Sequence, residues 1–361
     1  MKVLIASDGH GGEAHAFAYG TRFEEQGHEV THFTWKDYFK LYQYAANYKT
    51  DGNKIKSIYY RAQNKLTFGP ALWRLNNDLV QKCKLEKPDL LFIYRGTHIY
   101  PCTLKRIKKL GVTIFGYNND DPFSSVYRPY FWRHFRRCVP HYNHIFYYRH
   151  KNEADYKALN YNNISLLRSS YIKERNFKIT DTSKSPFVCD VIFVGHYEND
   201  GRDKLIKNLI EKGINIRLFG TGWQASSEYG YLKEKMSGDI KPLYGRDYNL
   251  ALNSGKIALV FLSKINNDTY TRRCFEIPAT GTFMLSEYTK DLAEMLFLES
   301  KEADYFKNGE ELLEKIKLYL NDNELREKVA MSGYHKVHSA GHEVGDRVKE
   351  VIKVYNQCQK R

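Results

Sequence analysis

Apolar and polar positions along the chain fall into short strand-like blocks separated by longer segments with helical spacing. The run 3–6 is continuously apolar and too short for a helix, which fits a buried strand. Residues 13–26 read as a helix, and 29–34 as a second strand after the turn at Gly27. A long, mostly helical stretch over roughly 53–86 precedes the apolar run 88–94. A helix at 100–110 and a strand at 112–117 follow, and the strand runs into Asn118-Asn119-Asp120-Asp121-Pro122. Strands at 145–148 and 164–167 complete this half. Strands alternating with helices of this length predict a parallel sheet with right-handed crossovers.

The pattern then restarts. Residues 173–187, rich in Lys, Asp, Thr and Ser, read as a linker. A strand at 189–195 ends in glycine, a helix at 203–212 follows, and a strand at 214–219 leads into a glycine turn at 220–223. Strands at 256–262 and 282–285 and helices at 310–319, 324–338 and 343–357 close the chain. The predicted fold class is α/β, with two Rossmann-like domains whose parallel sheets face each other across a cleft. The expected organisation is an N-terminal Rossmann-like domain at 1–172, the linker at 173–187, and a ligand-binding domain at 188–342. A C-terminal helix, 343–361, is expected to pack back on the first domain. Ligands of such sheets bind outside the carboxyl ends of the strands, so the residues after each strand are the ones to inspect.

Composition narrows the class. With 42% hydrophobic and 27% charged residues the chain has enough apolar content for two cores, which excludes a disordered protein. No run approaches the length of a membrane span, and the apolar run after Lys2 meets Asp8 at once, unlike a signal peptide. A cytoplasmic location is expected. The six cysteines, at 83, 102, 138, 189, 274 and 358, form no Cys-x-x-Cys, and the 13 histidines form no His-Glu-x-x-His. Neither a disulfide framework nor a metal site is expected. The formal charge of +14 favours an anionic partner: nucleic acid, a phosphorylated small molecule or an anionic membrane.

Four stretches carry candidate chemistry. In "SDGHGGEA", 7–14, the spacing Gly9-x-Gly11-x-x-Ala14 satisfies the Ala variant of the dinucleotide fingerprint. An NAD-dependent oxidoreductase also needs an acid ending the second strand. "EVTHFTW" ends without one, and Asp8 is a poor neighbour for a pyrophosphate. The same loop fits another ligand site, where Gly9, Gly11 and Gly12 let the backbone approach a phosphate or sugar and Asp8, His10 or Glu13 contacts the ligand. It also fits a simple tight turn.

In "TRRCFEIPATGTFMLSEYTKDL", 271–292, a short helix over 273–279 would turn its first amides, Arg272 and Arg273 onto one anion such as a diphosphate. Glu276, one turn on, is placed to accept paired ribose hydroxyls. The alternative is an ordinary Arg–Glu pair on a helix surface. In "YNNDDP", 117–122, Asp120 and Asp121 are candidates for acceptor positioning, general base or Mg²⁺ binding, or for a capped turn. Residues 128–150 hold five Arg and four His among aromatics. They read as a membrane-facing edge, a stacking groove for single-stranded nucleic acid, or a helix with an aromatic core face.

The stretch 271–292, together with "ADYFKNGEELLEKIKLYLNDNELREKVAMSGYHKV" at 303–337, resembles the glycosyl-transferase domain of CgeB-like spore-maturation proteins. These are GT-B glycosyltransferases of the group 1 type. The resemblance is good over about 190–350 and weaker over 1–170. It implies a hexosyltransferase that takes a UDP- or GDP-sugar as donor, with no bound cofactor or metal, and retains anomeric configuration. It implies a glycan, lipid-linked or cell-surface hydroxyl as acceptor, bound on the 1–172 side with Asp8, His10, Glu13, Asp120 and Asp121 as candidate catalytic residues (the base, should the enzyme invert), and no nucleic-acid partner. Glu276 matches the second acid of the Glu-x7-Glu element of related retaining enzymes, while the first falls on Asp268, a departure from that pattern. Gly195 and Arg202 match the glycine turn and basic residue that face the diphosphate. Gly220, Gly222 and Tyr244 match segments near the base, and Thr271 and Gly281 flank the Arg–Glu helix. The alternative is a non-catalytic protein of the same fold in surface assembly or nucleic-acid binding.

Overall fold

In the computed structural model, which describes residues 1–8, 13–39 and 54–360, the first apolar run forms β1 (Lys2–Ser7). It is followed by α1 (Glu13–Glu25), β2 (Glu29–Thr34), α2 (Lys54–Leu66), α3 (Pro70–Glu86), β3 (Leu90–Tyr94) and α4 (Pro101–Lys108). Next come β4 (Thr113–Asn118), α5 (Arg133–Cys138), β5 (His144–Tyr147), α6 (His150–Ala158) and β6 (Ile164–Leu166). The second half contains β7 (Cys189–Val194), α7 (Arg202–Glu211), β8 (Ile216–Phe219), α8 (Tyr229–Lys235), α9 (Gly245–Ser254) and β9 (Gly255–Val260). The chain ends with α10 (Arg273–Ala279), β10 (Phe283–Glu287), β11 (Asp304–Phe306), α11 (Gly309–Asn321), α12 (Asn323–Ser339) and α13 (Val344–Gln359).

The chain divides into two units, Met1–Arg168 together with α13, and Ser169–Glu343. Among the described residues the first unit holds a six-stranded sheet in the order β2-β1-β3-β4-β5-β6. The second holds a five-stranded sheet in the order β11-β10-β9-β7-β8. Every pairing within them is parallel. Such sheets are covered on both faces, which is why β3 reads Leu-Leu-Phe-Ile-Tyr without a polar break and is buried throughout. In each sheet the strand order reverses once, between β1 and β3 and between β7 and β9. Connections leave a reversal in opposite directions and open a crevice at the strands' carboxyl ends. These two switch points position everything discussed below.

The first core gathers Trp35, Leu75, Leu79, Trp132, Phe135 and Tyr142 behind its sheet. The second gathers Phe193, Trp223, Phe261, Phe283 and Tyr319. Each large aliphatic or aromatic side chain so buried contributes about 1.5–3 kcal/mol. Helix α13 shows the same logic on one element. Val344, Val348 and Val351 recur at helical spacing and are buried, and the Gln359 amide donates to Thr113 Oγ1 at 2.9 Å.

Three stretches of the sequence take definite form. The helical stretch 53–86 is two helices, because Thr67 (φ 47°) and Gly69 (φ 123°) turn the backbone left-handed before Pro70 opens α3. Residues 173–187, expected as a linker, are fastened to the second unit. The Phe177 and Ile179 amides donate to the side-chain oxygens of Asn249 and Asn253 on α9, at 3.1 and 2.8 Å. Finally, 128–150 is a core segment on its aromatic side. Trp132, Phe135, Tyr142, Phe146, Tyr147 and Tyr148 are buried, while Arg133 and Arg136 donate to main-chain carbonyls of Thr67 and Pro122. No helix among the described residues is long and apolar enough to cross a membrane.

Candidate functional site

The carboxyl ends of β7 and β9 flank the switch point of the second unit. After β7 the chain passes Gly195 and His196, and after β8 it passes Gly220, Thr221 and Gly222. These glycines let two loops lie against each other. Gly220 (φ 151°) has no room for a Cβ, which would run into the Gly195 carbonyl oxygen, and that same oxygen accepts from Trp223 Nε1 at 3.0 Å. Gly222 (φ 80°) lies under the His196 ring. Gly195, Gly220 and Gly222 are required here first by the packing of one loop on the other. The product of that packing is a fixed His196, whose Nδ1 lies 2.7 Å from Thr221 Oγ1. The His196 pKa is lowered, first by crowding that strips water from the ring and then by Arg202 and Arg273, with Glu198 opposing.

The Arg202 side chain is 2% exposed and forms a fork on Asp200 at 2.8 and 2.7 Å. Its remaining donors reach the His196 carbonyl at 2.7 Å and the Leu262 carbonyl at 3.1 Å. With these partners inside the protein, Arg202 staples the loop after β7 to the loop after β9. It positions the switch point.

Arg272, Arg273 and Glu276 do come together beside this staple. The Arg273 guanidinium lies 5.9 Å from the ring centroid of Phe193, near the end of β7, and its charge bears on both His196 and Tyr248. Arg272 Nε is 4.0 Å from Glu276 Oε1. The largely buried Glu276 accepts from the Tyr248 hydroxyl at 2.6 Å. Burial and the neighbouring Glu276 carboxylate hold the Tyr248 hydroxyl protonated, with its pKa well above the ordinary value. Tyr248 thus works as a donor that orients the carboxylate.

Within α10 the amides from Cys274 to Glu276 are taken by the turn that opens the helix. Cys274 N donates to Thr271 O, and Phe275 N and Glu276 N donate to Arg272 O. With only seven residues in the helix, the guanidinium groups supply the positive charge. Thr271 N turns toward Cys274 Sγ at 3.5 Å, and the Asp268 amide donates to Ser263 O at 2.9 Å, so both hold the turn into α10. Tyr244, half exposed, caps the start of α9 one turn before Tyr248. Gly281 flanks the Arg–Glu helix on its carboxyl side. It ends α10 in a left-handed turn (φ 75°) and lines a recess with Gly255 and Phe283, at the amino ends of β9 and β10.

In the first unit the switch point between β1 and β3 holds a charged cluster. Arg95, directly after β3, places Nη1 3.3 Å from Asp8 Oδ2 at the end of β1 and Nη2 2.7 Å from Asp120 Oδ2 after β4. Its backbone is left-handed (φ 59°), which costs an L-residue about 1–2 kcal/mol. Strain held at the end of a central strand is a mark of a functional position. Asp120 and Asp121, though adjacent, diverge. The Asp121 side chain is fully buried and accepts from Phe123 N at 2.9 Å and Asn152 Nδ2 at 2.7 Å, so it holds the turn. This corrects its candidacy as a base or metal ligand. Among the described residues no three His, Cys, Asp or Glu side chains gather into a ligand set.

Gly9, His10, Gly11 and Gly12 lie outside the described residues, and for Glu13 only the backbone at the start of α1 is described. Three residues that sequence reasoning passed over belong to the two clusters: Arg95, His196 and Tyr248. The strand-end rule points to the first two, since each follows a strand beside a switch point.

Residues 202–353, less than half of the chain, match the family model described as glycosyl transferase-like. No curated protein matches the sequence. Among solved structures, sucrose-phosphate synthase from Thermosynechococcus elongatus aligns with a TM-score of 0.72 at 12% identity, covering 100% of this chain and 99% of that one. HepE of Anabaena, solved in complex with UDP-glucose, aligns at 0.66 with 12% identity, covering 99% and 100%. UDP-GlcNAc 2-epimerase from Neisseria meningitidis, bound to UDP-GlcNAc, aligns at 0.54 with 11% identity, covering 99% and 100%. Two α/β units with parallel sheets, aligned over their full length with such structures, give the chain the GT-B fold.

Proposed function

We propose that the protein is a glycosyltransferase of the CgeB-like type that moves a sugar from a UDP- or GDP-sugar to an acceptor hydroxyl. The observation that carries this reading is the convergence of Arg272, Arg273, His196 and Glu276 beside the β7–β9 switch point. In the transfer, the bond between the anomeric carbon and the diphosphate oxygen breaks and its electron pair stays on the diphosphate. Arg272 and Arg273 stabilise that charge as it develops. Glu276, oriented by Tyr248, holds the ribose hydroxyls. The acceptor oxygen bonds to the anomeric carbon with retention, and its proton passes to the leaving phosphate, with no metal taking part. Asp8 and Asp120, held by Arg95, serve the acceptor, a glycan, lipid-linked or cell-surface hydroxyl. The protein works in the cytoplasm.

A thermal-unfolding panel with UDP, GDP, CDP, TDP, NAD and an oligonucleotide tests the reading. A ligand at a hundred times its Kd stabilises by about 2.7 kcal/mol. At about 2–4 °C per kcal/mol for a unit of this size, one nucleoside diphosphate is expected to raise the midpoint by several degrees. NAD and the oligonucleotide are expected to leave it in place. Silence from all four diphosphates, or a response to NAD alone, contradicts the proposal. The likeness to the Neisseria epimerase defines a second reading, which predicts interconversion of the sugar with the UDP-sugar left intact at equilibrium.

A further inference from the structure

Helix α2 is amphipathic with its apolar face turned outward. Ile55, Ile58, Tyr59, Ala62 and Leu66 fall on one stripe at helical spacing, and all five are exposed. The opposite face is packed, with Tyr60 against the core and polar side chains beside it. Gln63 is buried against the start of α3, and Asn64 Oδ1 lies 2.9 Å from His98 Nε2. A helix packed only for its own unit has the reverse arrangement, so the outward stripe calls for a partner that water does not replace.

Charge identifies that partner. Arg61 and Lys65 border the stripe on one side and Lys56 on the other, all exposed. At its end Arg133 donates to the Leu66 and Thr67 carbonyls at 2.8 and 3.0 Å, which adds a fourth cation. From 54 to 77 the chain carries five Lys or Arg and no Asp or Glu, within a protein of formal charge +14. The turn and first turn of α3 extend the apolar surface through Phe68 and Trp73, 70% and 69% exposed. Apolar stripes edged by cations, with Tyr and Trp among them, fit the interface of an anionic bilayer, where rings sit at headgroup depth and lysine stems reach the lipid phosphates.

We propose that α2 and the start of α3 form a docking surface for anionic lipid membranes. The surface lies outside the nucleotide cluster, and it replaces 128–150 as the membrane-facing element. The first half of that segment contributes Arg133 only as a border, because its aromatics fill the core.

The protein carries its own reporter. Of its four tryptophans, Trp35, Trp132 and Trp223 are 1%, 0% and 0% exposed, so Trp73 dominates any change of environment at the surface. The test mixes the full chain with phosphatidylcholine vesicles with and without phosphatidylglycerol, following sedimentation and tryptophan emission. Binding is expected to rise by about tenfold or more with phosphatidylglycerol, to fall with added salt and to shift the emission to the blue. Ile58→Glu, at an exposed site, is expected to abolish binding with an unchanged melting midpoint. Trp73→Phe is expected to remove the blue shift and keep sedimentation. Equal partition into both vesicle types, or none into either, overturns the proposal. So does a concentration-dependent dimer that Ile58→Glu dissociates while vesicles are ignored, which assigns the stripe to a second copy.

Discussion

Arg273→Ala is expected to weaken binding of the nucleoside diphosphate by about thirtyfold or more, with the melting midpoint of the ligand-free protein almost unmoved. The guanidinium sits over Phe193, and its buried Nε has no hydrogen-bond partner among the described residues. A charge-assisted pair made in such a place loses about 2–5 kcal/mol when one partner is truncated, and 2 kcal/mol is already thirtyfold. Arg273→Lys keeps the charge but loses the planar fork, and is expected to recover only part of the affinity. Isothermal titration of the three proteins with the diphosphate that stabilises the wild type checks this. An affinity within twofold of wild type in the alanine variant contradicts the role given to Arg273.

Arg202→Ala is expected to act on stability instead. Its side chain and that of Asp200 are 2% and 10% exposed, and removing the guanidinium leaves a nearly buried carboxylate and two main-chain carbonyls without their donors. Breaking a buried pair from one side costs about 3–5 kcal/mol. For a unit of this size that lowers the melting midpoint by about ten degrees. Arg202→Lys cannot span Asp200, His196 O and Leu262 O at once and is expected to fall close to the alanine variant. Scanning calorimetry reads both. A midpoint within two degrees of wild type, with diphosphate affinity lost, restores Arg202 to the ligand and removes it from the framework.

These two arginines mark how far sequence reasoning reached. The α/β class, both sheets and most strands were legible because parallel strands buried on both faces read as short apolar runs, as in β1, β3 and β7. What a run cannot carry is its neighbour. The strand orders that create the switch points come from pairings such as β1 with β3 and β7 with β9, separated by tens of residues. The family resemblance likewise put Arg202 near a phosphate, but whether its fork closes on a ligand or on Asp200 two residues back depends on the loop's fold.

The same limit explains the acidic residues. Asp120 and Asp121 are equivalent in sequence, yet one pairs with Arg95 and the other is consumed by its own turn. Arg95 was invisible because its significance lies in a left-handed backbone and in two carboxylates brought from other strands. Gly281 shows the same limit, because a glycine after a helix serves a ligand or a C-cap with the same letter. The elements missed outright, such as α6 and β11, are short or lack an apolar stripe.

The central claim is that the carboxyl ends of β7 and β9, with Arg272, Arg273 and Glu276, hold the donor's nucleoside diphosphate. Hydrogen–deuterium exchange of the full chain, with and without a saturating stabilising diphosphate, tests it most directly. The account predicts slowed exchange at 195–198, 244–248 and 262–276, with the loop at 7–14 unaffected. Protection confined to 7–14, with 262–276 exchanging as in the free protein, would contradict it and return the nucleotide to the first glycine loop.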